Sequence, residues 1–221
     1  SMQEGYGKII FRNLLRAVGS PLTALRLVWR RLFPFGIVPK DAEAYRIGSW
    51  SYGHAPRVPI TDIFPGIEKT EVRILNTYDR DLTTSIDPSE ITALCAIIRH
   101  RSCRNILEIG TFDGNTALNM AVNAGEDGRV TTIDLPPAWS GAYEIRVPGL
   151  YVNVTARDAI GIQYRSNASV VGRITQVYGD SAGLDWTQLT GPFDLVFIDG
   201  NHHYEYVKSD TENALRHLRP R

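Results

Sequence analysis

Glu108, Asp134 and Asp199 each fall at or near the end of a short apolar run: Ile106-Leu107-Glu108-Ile109, Arg129-Val130-Thr131-Thr132-Ile133-Asp134 and Phe193-Asp194-Leu195-Val196-Phe197-Ile198-Asp199. Runs of this kind read as buried strands. A carboxylate at each strand end would line one rim of one sheet, where it can accept hydrogen bonds from hydroxyls or face a cation. After the first run the chain turns through Gly110 and Gly114 and enters Asn115-Thr116-Ala117-Leu118-Asn119-Met120-Ala121. A strand, a glycine turn and a helix in that order form the place where open α/β sheets hold a nucleotide-like ligand. Glycines accept positive φ and carry no Cβ, so a ligand is expected against bare backbone here. The amides at the helix start would favour an anionic group.

The other acids extend the same rim. Asp134, about twenty residues beyond the turn, stands where a carboxylate holds two ribose hydroxyls. Asp180 and Ser181, in Tyr178-Gly179-Asp180-Ser181-Ala182, can offer a side chain and an amide to a purine edge. The spacing of the turn narrows the ligand. Dinucleotide folds set three glycines as G-x-G-x-x-G to hold a pyrophosphate. Here the pattern is Glu108-x-Gly110-x-x-x-Gly114, and an acid suits an ammonium better than a phosphate. A cofactor with an amino-acid end and a sulfonium is favoured over NAD.

The elements that must position these residues alternate. Asp87-Pro88-Ser89-Glu90 marks a helix start running to about residue 101. Strands are expected at 104–109, 129–134, 173–178 and 193–199, and helices at 114–124 and 204–218. This rhythm predicts a parallel, doubly wound α/β sheet. Residues 136–172 exceed a plain crossover and read as an insertion above the rim, of the kind that forms lids or substrate loops. Upstream, residues 34–70 are rich in proline, glycine and aromatics and read as an ordered loop region. Residues 8–33 carry six basic side chains and no acid among interleaved apolar residues, which predicts two short basic amphipathic helices. Packing on their own domain or a dimer mate is favoured over an anionic membrane surface. The chain divides into an extension, 1–84, and a ligand-binding domain, 85–221.

Composition sets the limits. A chain of 221 residues with 43% apolar and 22% charged content can bury a core without disulfides or metals. Zero formal charge gives no sign of nucleic-acid binding. Cys95 and Cys103 match no zinc or redox spacing, so a reduced, cytoplasmic setting is expected. No apolar run has the roughly 18–20 residues that span a bilayer.

Glu108-Ile-Gly-Thr-Phe-Asp-Gly114, Thr132-Ile-Asp134-Leu-Pro136, Gly179-Asp180-Ser181 and Phe197-Ile-Asp199-Gly-Asn-His-His-Tyr204 together resemble class I S-adenosylmethionine-dependent methyltransferases, close to bacterial small-molecule O-methyltransferases. The resemblance covers roughly residues 85–221. It implies a Rossmann-like fold with S-adenosylmethionine as cofactor. Glu108 and Gly110 would meet its methionine end, Asp134 its ribose and Asp180-Ser181 its adenine, with Thr111, Phe112, Gly114 and Leu135 lining the same site. Asp199, His202 and His203 would form the catalytic cluster. In metal-dependent relatives the aspartate at this strand end helps bind a divalent ion, so Asp199 is also the candidate ligand for magnesium. The implied acceptor is a hydroxyl of a small molecule.

Such relatives continue beyond the position of Pro220 with further strands, so the fold reads as truncated after the fourth strand and its helix. Strand 193–199 would then be an apolar edge needing cover from the basic helices, the 34–70 segment or a second copy of the chain. A homo-oligomer is expected. Two other readings stay open: a non-catalytic cofactor-binding or assembly module, and a nicotinamide-dependent oxidoreductase.

Overall fold

The computed structural model describes residues 58–76, 86–137, 139–147 and 159–220. The expected helices in 8–33, and the loop region as far as residue 57, lie outside these residues. Val58–Arg221 forms one compact unit.

A helical turn, α1 (Ile60–Ile63), precedes α2 (Pro88–His100), β1 (Asn105–Ile109), α3 (Asn115–Asn123), β2 (Arg129–Asp134), α4 (Ile162–Arg165), β3 (Ile174–Tyr178), β4 (Leu195–Ile198) and α5 (Tyr204–His217). The four strands form one sheet in the order β3-β2-β1-β4, and every pair is parallel. The chain therefore starts at the inner strand β1, moves out through β2 to β3, and returns to the other side of β1 as β4. This reversal is a topological switch point, and in open α/β sheets the ligand crevice lies at the carboxyl ends of the strands beside it. Here those ends carry the glycine turn and Asp199.

Strand β1 is one of the two inner strands, and Ile106 to Ile109 are all buried. Its alternating side chains feed two cores, as a strand's two-residue period requires. Ile106 packs with Leu94, Ile98, Leu118 and Val130 under α2 and α3. Leu107 and Ile109 pack on the opposite face with Ile133, Trp186 and Phe193. Asp87 caps α2 through a 2.7 Å bond from the Ser89 amide, with Pro88 in the first turn as its sequence predicts. The other elements fall within two residues of expectation. The strand expected at 193–199 is shorter, because Asp194 turns its carboxylate back to accept the amides of Arg104 and Asn105 at 2.8 and 2.9 Å.

Two findings revise the expected organisation. The interval 136–172 is not one loop above the rim. Its last part forms α4 and a short 3-10 turn at Val171–Arg173, and the Arg173 guanidinium donates to carbonyls of α3 and its exit turn. Upstream, a strap at 70–76 without regular secondary structure lies on α3. Asn123 accepts from the Arg73 amide at 3.1 Å and donates to the Arg73 carbonyl at 2.8 Å. Asn119 does the same for Leu75, at 2.7 and 3.0 Å. Asparagine is a poor helix-interior residue; here both side chains serve as strand-like partners. The sheet domain thus makes contacts upstream of residue 85.

At the outer edge of β4, Leu218 returns from α5 to form a single parallel bridge with Phe193. The Phe193 amide donates to the His217 carbonyl at 2.9 Å, and the Arg219 amide donates to the Phe193 carbonyl at 2.8 Å. Leu195–Ile198 are half-buried. Among the described residues no other backbone pairs with this edge.

Candidate functional site

The turn after β1 is held in an unusual backbone. Gly110 (φ 101°), Phe112 (φ 47°) and Gly114 (φ 81°) all lie in the left-handed region. For Phe112 this costs roughly 1–2 kcal/mol, offset by bonds at both ends of the residue. Its amide donates to Asp134 Oδ2 at 2.9 Å, and its carbonyl accepts the Gly161 amide at 2.9 Å. Asp134 Oδ1 accepts the Leu135 amide at 2.7 Å. Burial pushes the Asp134 carboxyl above its ordinary range, although the amides of Phe112, Leu135 and Thr111 pull it down. The carboxylate keeps acceptor capacity beyond these amides for a ligand hydroxyl.

The glycines serve a purpose the sequence did not reveal. A Cβ on Gly110 would strike the Asp199 carbonyl, and one on Gly114 would stand 2.5 Å from Tyr164 Cδ1 and 2.7 Å from Gly161 Cα. Both positions are filled by protein, so the expected bare-backbone cradle at their Cβ sites is absent. Gly110 lets the ends of β1 and β4 meet, and Gly114 lets α4 pack on the turn. At the helix start, the Asn115 amide is taken by Asp113 Oδ1 at 3.0 Å.

Beneath the turn, Glu108, Thr132 and Gln176 are cross-strand neighbours in one row of the sheet. Glu108 is fully buried. Its Oε2 accepts the Thr132 hydroxyl at 2.5 Å, and its Oε1 has no hydrogen-bond partner. Burial drives this carboxyl well above the usual range; Thr132 opposes the shift, and Asp199, Asp134 and Asp113 add to it. Thr111, expected to line the ligand, is buried, and its hydroxyl bonds that of Thr132 at 2.7 Å.

Asp199 is exposed at the end of β4, and its amide donates to the Ile109 carbonyl at 2.8 Å. Burial of its carboxyl raises its pKa, the His202 charge lowers it, and Glu90 on α2 raises it. His202 is exposed and is the histidine that acts on Asp199. His203 instead is the residue before α5, half-buried, with its amide on Asn201 Oδ1 at 2.9 Å. Among the described residues no group of three His, Cys, Asp or Glu side chains is placed to hold a metal ion. Asp199 is therefore a lone candidate donor among the described residues.

Asp180 and Ser181 are largely committed within the protein. Asp180 Oδ2 accepts the Glu144 amide at 2.8 Å and the Tyr206 hydroxyl at 2.7 Å, and Oδ1 accepts the Ala182 amide at 3.1 Å. It pins the segment after β2 to α5 and has little left for a purine. The Ser181 carbonyl accepts the Trp186 indole N–H at 3.0 Å. Behind them lies Asp210 of α5, fully buried. Neither of its oxygens accepts a well-formed hydrogen bond, although the Ser181 hydroxyl is close enough to favour the ionised form. Burial raises Asp210 to about 6, and Asp180 raises it too. Sequence reasoning passed over Thr132, Gln176 and Asp210. The available signal was a polar residue at a core-facing position of each strand or helix.

No helix among the described residues is long and apolar enough to cross a membrane. A catechol O-methyltransferase of Mycobacterium tuberculosis is 30% identical over 108 residues, 49% of this chain and 41% of that enzyme, so the match spans less than half the relative's length. An O-methyltransferase structure from Bacillus cereus in complex with SAH aligns over 79% of this chain and 69% of its own, at 19% identity and a TM-score of 0.48. The O-methyltransferase TomG of Streptomyces achromogenes, in complex with SAM, aligns over 78% and 66%, at 23% identity and a TM-score of 0.47. The profile of the methyltransferase-domain family matches residues 107–221, from inside β1 through the last described helix. Because that match takes in more than half of the chain, the protein belongs to the methyltransferase-domain family.

Proposed function

We propose that the protein binds S-adenosylmethionine at the rim formed by Glu108, the 110–114 turn and Asp134, and transfers its methyl group to a hydroxyl of a small molecule. One observation carries this reading. Glu108, Asp134 and Asp199 converge at a topological switch point with raised carboxyl pKa values, and among the described residues none of them forms an ion pair with a lysine or arginine. Such a rim is completed by a cationic ligand. When bound, S-adenosylmethionine supplies an electrophilic methyl on a positively charged sulfur.

The chain's own residues have distinct tasks. Asp134 accepts from the ribose hydroxyls with the acceptor capacity that the amides of the turn leave free. Phe112 and Leu135 flank it, and Ser181 borders the adenine side. Asp199 takes the proton of the acceptor hydroxyl, with His202 beside it as orienting or alternate base. A carboxylate whose pKa is raised is a stronger base than one at the ordinary value. The acceptor oxygen then attacks the methyl carbon in line, and the C–S electron pair leaves on sulfur. No step is routed through a metal, since Asp199 is one donor and the described residues supply no set around it. The same reading takes a cytoplasmic setting from cysteine usage, no nucleic-acid partner from net charge, and a homo-oligomer from the edge of the fourth strand.

Calorimetry with S-adenosylhomocysteine and, separately, NAD tests the binding step. Wild type should bind the first, and Asp134→Ala should weaken that binding by about tenfold or more. Tight NAD binding with no S-adenosylhomocysteine binding would return the oxidoreductase reading. Binding with no methyl transfer to any hydroxyl acceptor would return the non-catalytic module.

A further inference from the structure

The polar row under the turn is longer than the site needs, and its hydrogens all point one way. Tyr164 donates its hydroxyl to Gln176 Oε1 at 2.9 Å. Gln176 Nε2 donates to Thr111 Oγ1 at 2.9 Å, and also to the carbonyls of Thr132 and Val177 at 3.3 and 3.2 Å. Those carbonyls accept only, which fixes which end of the amide is NH2. The Thr132 hydroxyl has a single hydrogen, and Glu108 Oε2 takes it at 2.5 Å. With Glu108 ionised, the state that an ammonium partner would hold, Thr111 is then the donor in its 2.7 Å bond to Thr132. The chain runs Tyr164, Gln176, Thr111, Thr132, Glu108, with every donor aimed toward the carboxylate.

The two ends of this relay differ. Beyond Tyr164 stands Arg165, whose charge and hydrogen bond act on the Tyr164 hydroxyl. At the other end Glu108 is sealed, with Oε2 held and Oε1 unpartnered. The charged groups acting on it are Asp199 at the end of β4, Asp134 at the end of β2 and Asp113 in the turn, all of them acids. A buried acceptor without a donor is costly, and a charged one more so. A relay that fixes one oxygen and spares the other defines where the missing donor must come from.

We propose that Thr132, Gln176 and Tyr164 are positioning residues: their chain fixes Glu108 through Oε2 and leaves Oε1 as the acceptor for the ammonium at the amino-acid end of the cofactor. This rests on the cofactor reading above, and it assigns to that site three residues outside the glycine turn. Thr132 acts directly on Glu108, Gln176 orients Thr132 through Thr111, and Tyr164 orients Gln176.

The test compares two ligands sharing an adenosine and a thioether, of which only one has an amino-acid end: S-adenosylhomocysteine and 5′-methylthioadenosine. Calorimetry on the full chain should show Thr132→Val weakening S-adenosylhomocysteine by about tenfold and 5′-methylthioadenosine by less than about twofold. Thr132→Ser, which keeps the hydroxyl, should restore the wild-type ratio. Gln176→Met, which leaves Glu108 and Thr132 in place, should shift the ratio in the same direction by about threefold, and it carries the comparison if Thr132→Val does not fold. Equal loss for both ligands, or no loss for either, overturns the positioning role while leaving the cofactor reading intact. A wild-type protein that binds neither ligand overturns both.

Discussion

Asp194 and Asp199 flank the two ends of β4, and the fold treats them in opposite ways. Asp194 takes the amides of Arg104 and Asn105 on one oxygen and the Arg219 guanidinium on the other at 2.7 Å. Burial alone would raise its carboxyl, but these donors outweigh burial and leave the pKa below the ordinary value. Among the described residues Asp199 has no such set, and its carboxyl is raised. Glu108 and Asp134 follow Asp199. One end of the sheet thus carries an acid whose internal donors outweigh its burial, and the other carries acids whose burial outweighs the donors the fold gives them. A carboxylate at a strand end becomes a site through the donors it lacks.

Three measurements would break or sharpen this contrast. The largest effect is expected at Asp199. Asp199→Asn should lower methyl-transfer kcat by about 100-fold or more while leaving the Kd for S-adenosylhomocysteine within about threefold. Loss of binding in step with turnover would put Asp199 with the structural acids instead.

At the other end, Asp194→Ala should cost about 2–3 kcal/mol in urea unfolding at pH 7, because two amides and Arg219 lose their acceptor. Its pH dependence has a definite sign. A depressed carboxyl stabilises the fold above the ordinary carboxylate range and loses that contribution as pH falls through its lower folded value. The gap between wild type and Asp194→Ala should therefore close on acidification. A gap that widens would reverse the assignment.

Asp210 offers the smallest effect and the opposite sign. Its carboxyl is raised to about 6, so the fold is favoured below the ordinary carboxylate pKa and loses that advantage as pH rises through the folded value. Asp210→Asn should stabilise the protein by about 1–2 kcal/mol at pH 7.5, a gain that fades toward pH 4. A destabilised variant at pH 7.5 would show that the Asp210 charge is used, with Ser181 as a better partner than its geometry indicates.

Much of this arrangement was legible in local sequence. The apolar runs ending in Glu108, Asp134 and Asp199 located β1, β2 and β4, and the Asp87-Pro88 start placed α2, since each signal is complete within a few residues. Phe112 at positive φ was not legible, because what holds it are Asp134 and Gly161, distant in the chain. The use of Gly110 and Gly114 was misread for the same reason: the atoms filling their Cβ positions belong to Asp199, Gly161 and Tyr164. Asp180 looked free for a ligand until Tyr206 and Glu144 were seen to occupy it. The Glu108–Thr132–Gln176 row needs the register of three strands before it exists at all.

The two asparagines of α3 also have a consequence for how the chain can be cut. Asn119 and Asn123 grip residues two apart on the strap, so their spacing acts as a ruler that admits one threading. A slip by one residue would put Thr70-to-Asn76 side chains where amides and carbonyls must be. A chain begun after the strap would leave two amide groups on the flank of a buried helix with nothing to hold. The boundary of the foldable unit is therefore set by side chains of α3, well inside the domain, and falls before Arg73.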